Sequence, residues 1–177
     1  MIKSIKKYVS QVKMVAQGMI DMQNPFRTSK IVEMNHFGVQ CKMLHDPALL
    51  HSKGYMVAGA MRVIMGDVVE DMIVVDDHFF EMDAAHQLAI YFHEFGHIHL
   101  EHLERLASGG KYANMKNLFK RSAAAIHGVQ DIELEADQYA ASKVGPVILS
   151  SALEAVSAVV GPKNKELQRR IRILRNQ

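Results

Sequence analysis

Residues 93–97 read His-Glu-Phe-Gly-His, and they fall in a stretch whose apolar residues recur at helical spacing. On a helix, two residues four apart are separated by about 400° of rotation and about 6 Å of rise, so the two imidazoles converge on one point. That geometry suits a metal ion held by His93 and His97. Glu94 then falls beside the ion rather than on it. There a carboxylate can take a proton from a metal-acidified water and later deliver it to a leaving amine. The pentapeptide therefore demands a helix with one metal-facing stripe and an apolar back, here Ala85, Leu88, Ala89, Phe92 and Phe95. Gly96 breaks a local rule, because glycine costs about 1 kcal/mol against alanine inside a helix. Close approach of another element beside the metal would account for it.

A catalytic zinc site takes three protein ligands and keeps one position open. The strongest source for the third is Glu133-Leu134-Glu135-Ala136-Asp137. Glu133 and Asp137 are four apart and share one helical face, while Ile132, Ala136, Tyr139 and Ala140 supply an apolar one. Glu133 is expected to bind the metal, and Asp137 to orient a ligand histidine through its free ring N–H. The plainer alternative for this run is a solvated acidic face. Glu135 points about 200° from Glu133 around the helix and is read as a bystander. His99 and His102 do not share the face of His97 well, and His102 is expected to support the site rather than ligate. His45, His51, His78 and His86 read as surface or satisfied core residues. His127, Tyr139 and Arg170 are candidates for an oxyanion or substrate contact.

Along the rest of the chain, residues 2–22 carry apolar residues at three-to-four spacing with a lysine-rich outer face, predicting an amphipathic helix. Asn24-Pro25 ends it. Phe37–His45, Tyr55–Met65 and Val68–Asp76 read as three strands of a small, mostly antiparallel sheet, with a turn at Gly66-Asp67. Asp83 caps a long helix expected to reach about Leu106, where Ser108-Gly109-Gly110 stops the chain. Further helices are predicted over about 113–125, from Asp131 to about Lys143, over about 147–160, and over 163–175. Gly145-Pro146 and Gly161-Pro162 separate the last three. No internal repeat or linker interrupts residues 1–177, so one α+β domain is expected.

The 177 residues carry a net charge of +2 and are 49% hydrophobic, enough for a sizeable core. The basic clusters at the two ends read as solvated helix faces, and no nucleic-acid partner is expected. The single cysteine, Cys41, excludes an internal disulfide and suits a reducing compartment. Lysines interrupt the first twenty residues, so no signal peptide is read. Val147 to Val160 falls short of the ~20 apolar residues a membrane span needs. A cytoplasmic protein is the expectation.

His93-Glu94-Phe95-Gly96-His97, with His102 five further on and Glu133-Leu-Glu-Ala-Asp137-Gln-Tyr-Ala-Ala downstream, resembles the gluzincin metallopeptidases. The closest pattern is that of the CAAX prenyl protease and HtpX-type family. That resemblance implies a zincin-like fold, one zinc ion per chain, Glu133 as third ligand with Asp137 beside it, and endopeptidase activity with Glu94 as general base. Arg170-Ile171-x-x-Leu174 is similar to that family's terminal R-I-x-x-L run, without the usual preceding His-Pro. Most of that family carries transmembrane helices, which this chain lacks; the soluble ImmA/IrrE-type metallopeptidases, which act on or regulate transcriptional repressors, are the near alternative. The strand around Met72–Asp76 is expected to border the cleft and take a protein or peptide substrate by strand addition. Two competing classes stand beside the peptidase. One is a non-catalytic regulator that keeps the metal as a staple. The other is a di-iron carboxylate protein using Glu33–His36 and Glu94–His97.

Overall fold

The computed structural model describes residues 30–32, 41–51, 57–65, 67–107, 123–161 and 163–177. The helix expected over 2–22, the Glu33–His36 run and most of the helix expected over 113–125 lie outside these. The described part is α+β: a small mixed sheet, then helices to the end of the chain. Strands β1 (Lys30–Val32), β2 (Lys42–His45), β3 (Ala58–Met65) and β4 (Val68–Val75) form a sheet in the order β1-β2-β4-β3. The β1–β2 and β3–β4 pairs are antiparallel, and β2–β4 is parallel. Two short helices, α1 (Pro47–His51) and α2 (Asp77–Glu81), follow β2 and β4.

The four-residue run Met72-Ile73-Val74-Val75 does not alternate, and its place in the sheet explains why. Ile73 and Val75 enter the main core with Met43 and Phe79, whereas Val74 packs on the other face with Leu44 and Leu50. A strand covered on both faces reads as a continuous apolar run. β4 is accordingly interior, hydrogen-bonded to β2 on one side and β3 on the other. The expectation that Met72–Asp76 borders a cleft is corrected: among the described strands, β3 lies at the edge on that side.

Helix α3 (Ala84–His99) begins where expected, with the Asp83 carboxylate accepting a hydrogen bond from the His86 N–H at 2.9 Å. It ends earlier than expected. Leu100 caps it, Glu101 takes a left-handed backbone with φ of 56°, and the chain restarts as α4 (His102–Ala107). A non-glycine residue in that region costs about 1–2 kcal/mol. No glycine or proline marks the break, so helical periodicity runs straight through it. Helix α5 (Ala123–Val144) starts eight residues ahead of the expected Asp131. Gly145 and Gly161, with φ of 88° and 111°, stop α5 and α6 (Pro146–Val160) as read. Helix α7 (Lys165–Arg175) closes the chain.

The apolar back of α3, Ala89, Tyr91 and Phe92, lies in one core with Ile73 and Val75 of the sheet, Leu149 and Leu153 of α6, and Leu167, Ile171 and Leu174 of α7. That packing leaves the opposite face of α3 turned toward α5. The basic residues of α7 are exposed, as expected of a solvated face, with one exception: Arg170 is buried. No described helix is long and apolar enough to cross a membrane.

Candidate metal centre

The close contact of α3 with α5 is made at Gly96. A Cβ there would stand 3.2 Å from the Ala136 Cα and 3.3 Å from its carbonyl oxygen, both backbone atoms that cannot swing away. The glycine lets the two helices approach until the metal-facing stripe of one meets the Glu133 face of the other. Gly96→Ala should therefore push α5 outward. A loss of about 1–3 kcal/mol in unfolding free energy is expected, despite alanine's better helix propensity, with weakened metal binding in parallel. Denaturant titration of the metal-free variant checks the first part.

Across that seam the His93 and His97 Nε2 atoms stand 3.3 Å apart, and Glu133 reaches both: Oε2 lies 3.3 Å from His93 Nε2 and Oε1 lies 3.5 Å from His97 Nε2. Among the described residues this is the one group of three whose ligand atoms could hold a metal ion, all within 4.8 Å of one another. Both histidines are buried. Each offers its Nε2 to the common point, so each Nδ1 faces away and needs a partner.

For His93 the partner is Asp137, whose Oδ1 accepts from Nδ1–H at 2.9 Å. Asp137 in turn receives two bonds of 2.7 Å from the Arg170 fork, from Nε and from Nη2. The third arm of the guanidinium, Nη1, donates to Glu133 Oε2 at 2.6 Å. Burial alone would raise the Asp137 carboxyl, but Arg170 and His93 hold it below its usual range. Glu133 is likewise held low, burial being outweighed by His93 and Arg170. Burial and Arg170 push His93 down, yet its bonds to Asp137 and Glu133 dominate and raise it. His97 has no such carboxylate at its far nitrogen, and burial, with the charge of His93, lowers it.

Glu94 is buried beside this cluster. Its Oε2 accepts the Ala60 N–H of β3 at 2.8 Å, which ties the carboxylate to the edge strand. Burial raises its carboxyl above the ordinary range, opposed by His93 and by the Ala60 bond. Glu94, Glu133 and Asp137 gather around one guanidinium and the His93 imidazole, whose bonds to Asp137 and Glu133 favour its charged form, while burial favours the neutral form of Glu94. The three converging N and O donors of His93, His97 and Glu133 fit a divalent cation.

His102 and Glu135 form a contact the sequence reading did not foresee. His102 Nδ1 lies 3.0 Å from His97 Nδ1, its Nε2 lies 3.0 Å from Glu135 Oε2, and Arg105 Nη1 donates to the same oxygen at 2.7 Å. Glu135 is not a bystander. Its direction, away from Glu133, was legible; the break at Glu101 that brings α4 round to meet it was not.

The three candidates for an oxyanion or substrate contact fare differently. Arg170 is buried and directed at Asp137 and Glu133, so it braces the site from behind. Tyr139 packs against Phe95 and His99, with ring centroids at 6.1 and 4.9 Å, on the side of α3 roughly opposite His93 and His97. His127 lies on α5, but its side chain is outside the described residues.

Comparison with protein-family models, with characterised proteins and with solved structures finds no match for this chain.

Proposed function

We propose that this chain is a zinc-dependent endopeptidase of gluzincin type, with His93, His97 and Glu133 as metal ligands and Glu94 as general base. The observation that carries the reading is the convergence of those three donors with Glu94 held next to them by Ala60 of an edge strand. Two histidines and a carboxylate make the donor set of catalytic rather than structural zinc, which is usually closed by four ligands and often by thiolates. Cys41 is not among these ligands. Zinc held there would supply an acidified water and polarise a carbonyl oxygen.

The chain's own residues would do the rest. An extended peptide laid along β3 would pair with its edge backbone, which brings a scissile amide within reach of Glu94. Glu94 takes a proton at its carboxylate and gives it to the departing amine nitrogen. Asp137, Arg170 and the buried walls hold the ligands still and keep bulk water out.

The test is elemental analysis of the full chain and of Glu133→Ala side by side, followed by digestion of a peptide library. About one zinc per wild-type chain, a clear loss in the variant and zinc-dependent cleavage are expected. Equal zinc in both proteins would refute Glu133 as a ligand. Bound zinc with no cleavage of any peptide would point instead to a regulator that keeps the ion as a staple.

A further inference from the structure

Two histidine nitrogens 3.0 Å apart must share one proton. His97 turns Nε2 to His93 and Glu133 and Nδ1 to His102. If His97 Nδ1 carries the hydrogen, it donates to His102 Nδ1, and His102 then carries its own hydrogen on Nε2, aimed at Glu135 Oε2. The reverse assignment sets a bare His102 Nε2 lone pair against a carboxylate at 3.0 Å and puts the His97 hydrogen where a metal would sit. Only the first arrangement leaves every atom matched.

We propose that Glu135 and His102 form a positioning arm that fixes the ring orientation and tautomer of His97, so that its Nε2 lone pair faces the metal position in advance. This rests on the metal-centre reading above. The arm parallels the one that Asp137 gives His93, with a second imidazole inserted to span a longer gap. Each arm ends on an arginine: Arg170 of α7 behind Asp137, and Arg105 of α4 behind Glu135. His102 and Arg105 are three apart on α4, hence on one face, and both meet Glu135. His102 is fully buried, so no water competes for its nitrogens.

The experiment measures zinc affinity of the full chain by competition with a chelator, and the visible spectrum of the cobalt-loaded form. It compares wild type with His102→Leu, His102→Asn and Glu135→Gln, and Glu133→Ala serves as the ligand control. Loss of an outer partner of a ligand histidine typically weakens metal binding by about 10–100-fold, and His102→Leu is expected in that range with a shifted cobalt spectrum. His102→Asn keeps an acceptor oxygen near the place of Nδ1 and should recover most of the affinity. Glu135→Gln, at a half-exposed side chain, should move affinity the same way by less while leaving the metal-free fold intact, so the arm is tested even if His102→Leu misfolds. Long-range proton–nitrogen spectra of the zinc-loaded protein should place the His97 hydrogen on Nδ1. Wild-type affinity and spectra in all three variants, with Glu133→Ala still defective, would overturn the arm and leave the metal centre standing. No zinc bound by wild type, or equal binding by Glu133→Ala, would overturn both.

Discussion

Glu94→Gln is expected to keep one zinc per chain and to lose peptide hydrolysis by at least about 10²–10⁴-fold, the usual contribution of a positioned proton carrier. The substitution is nearly isosteric, and its amide oxygen still accepts the Ala60 N–H, so β3 stays in place. What disappears is the group that accepts and returns a proton. A second consequence has the opposite sign. The Glu94 carboxyl is raised in the metal-free fold, so folding tightens its hold on a proton. Its contribution to stability is therefore present in acid and lost as pH climbs through the raised value. At neutral pH the carboxylate works against folding, and the uncharged amide removes that opposition. The metal-free variant should melt higher than metal-free wild type at pH 7 and no higher near pH 4. Undiminished cleavage by the zinc-loaded variant would end the proposed mechanism.

Arg170→Leu should act on the other side of the site and mainly on stability. The guanidinium makes three short bonds to Asp137 and Glu133 in a nearly dry setting. Truncating one partner of a buried ionic group leaves the others uncompensated, which costs about 3–5 kcal/mol. The metal-free variant should show that loss in denaturant titration. Excess zinc should restore part of it, because a ligand that binds only the folded state stabilises it by mass action. Arg170→Lys should recover little, since an ammonium cannot fork onto both Asp137 oxygens and still reach Glu133. A variant as stable as wild type without metal would show that the carboxylates find other partners.

Much of this centre was legible in the residues, and the remainder was hidden for physical reasons. The four-residue spacings of His93 to His97 and Glu133 to Asp137 fix which side chains share a face, and the unexplained Gly96 pointed to a close helix crossing, which Ala136 provides. Arg170 hides among exposed basic residues. Yet it falls in the stripe of Leu167, Ile171 and Leu174, all buried, and that spacing was a signal for an inward arginine. The strand order could also have been read further: a run without alternation, Met72 to Val75, belongs inside a sheet and not at its rim. The turn at Glu101 had no such signal. Its left-handed backbone falls on a glutamate, which leaves no trace in a helical pattern.

Glu133, Glu135 and Asp137 hang from little more than one turn of α5, and between them they serve both histidines and the position where an ion would sit. Such a site has no partial form. A shift of α5 by a single turn, about 5.4 Å, would withdraw a ligand and both bracing carboxylates in one movement. An ion held at that position would therefore favour the docked helix, and the docked helix would favour the ion. If an ion is held there, a chelator would weaken the hold of α5 on α3, and any partner that moved α5 would change the metal affinity without touching the metal.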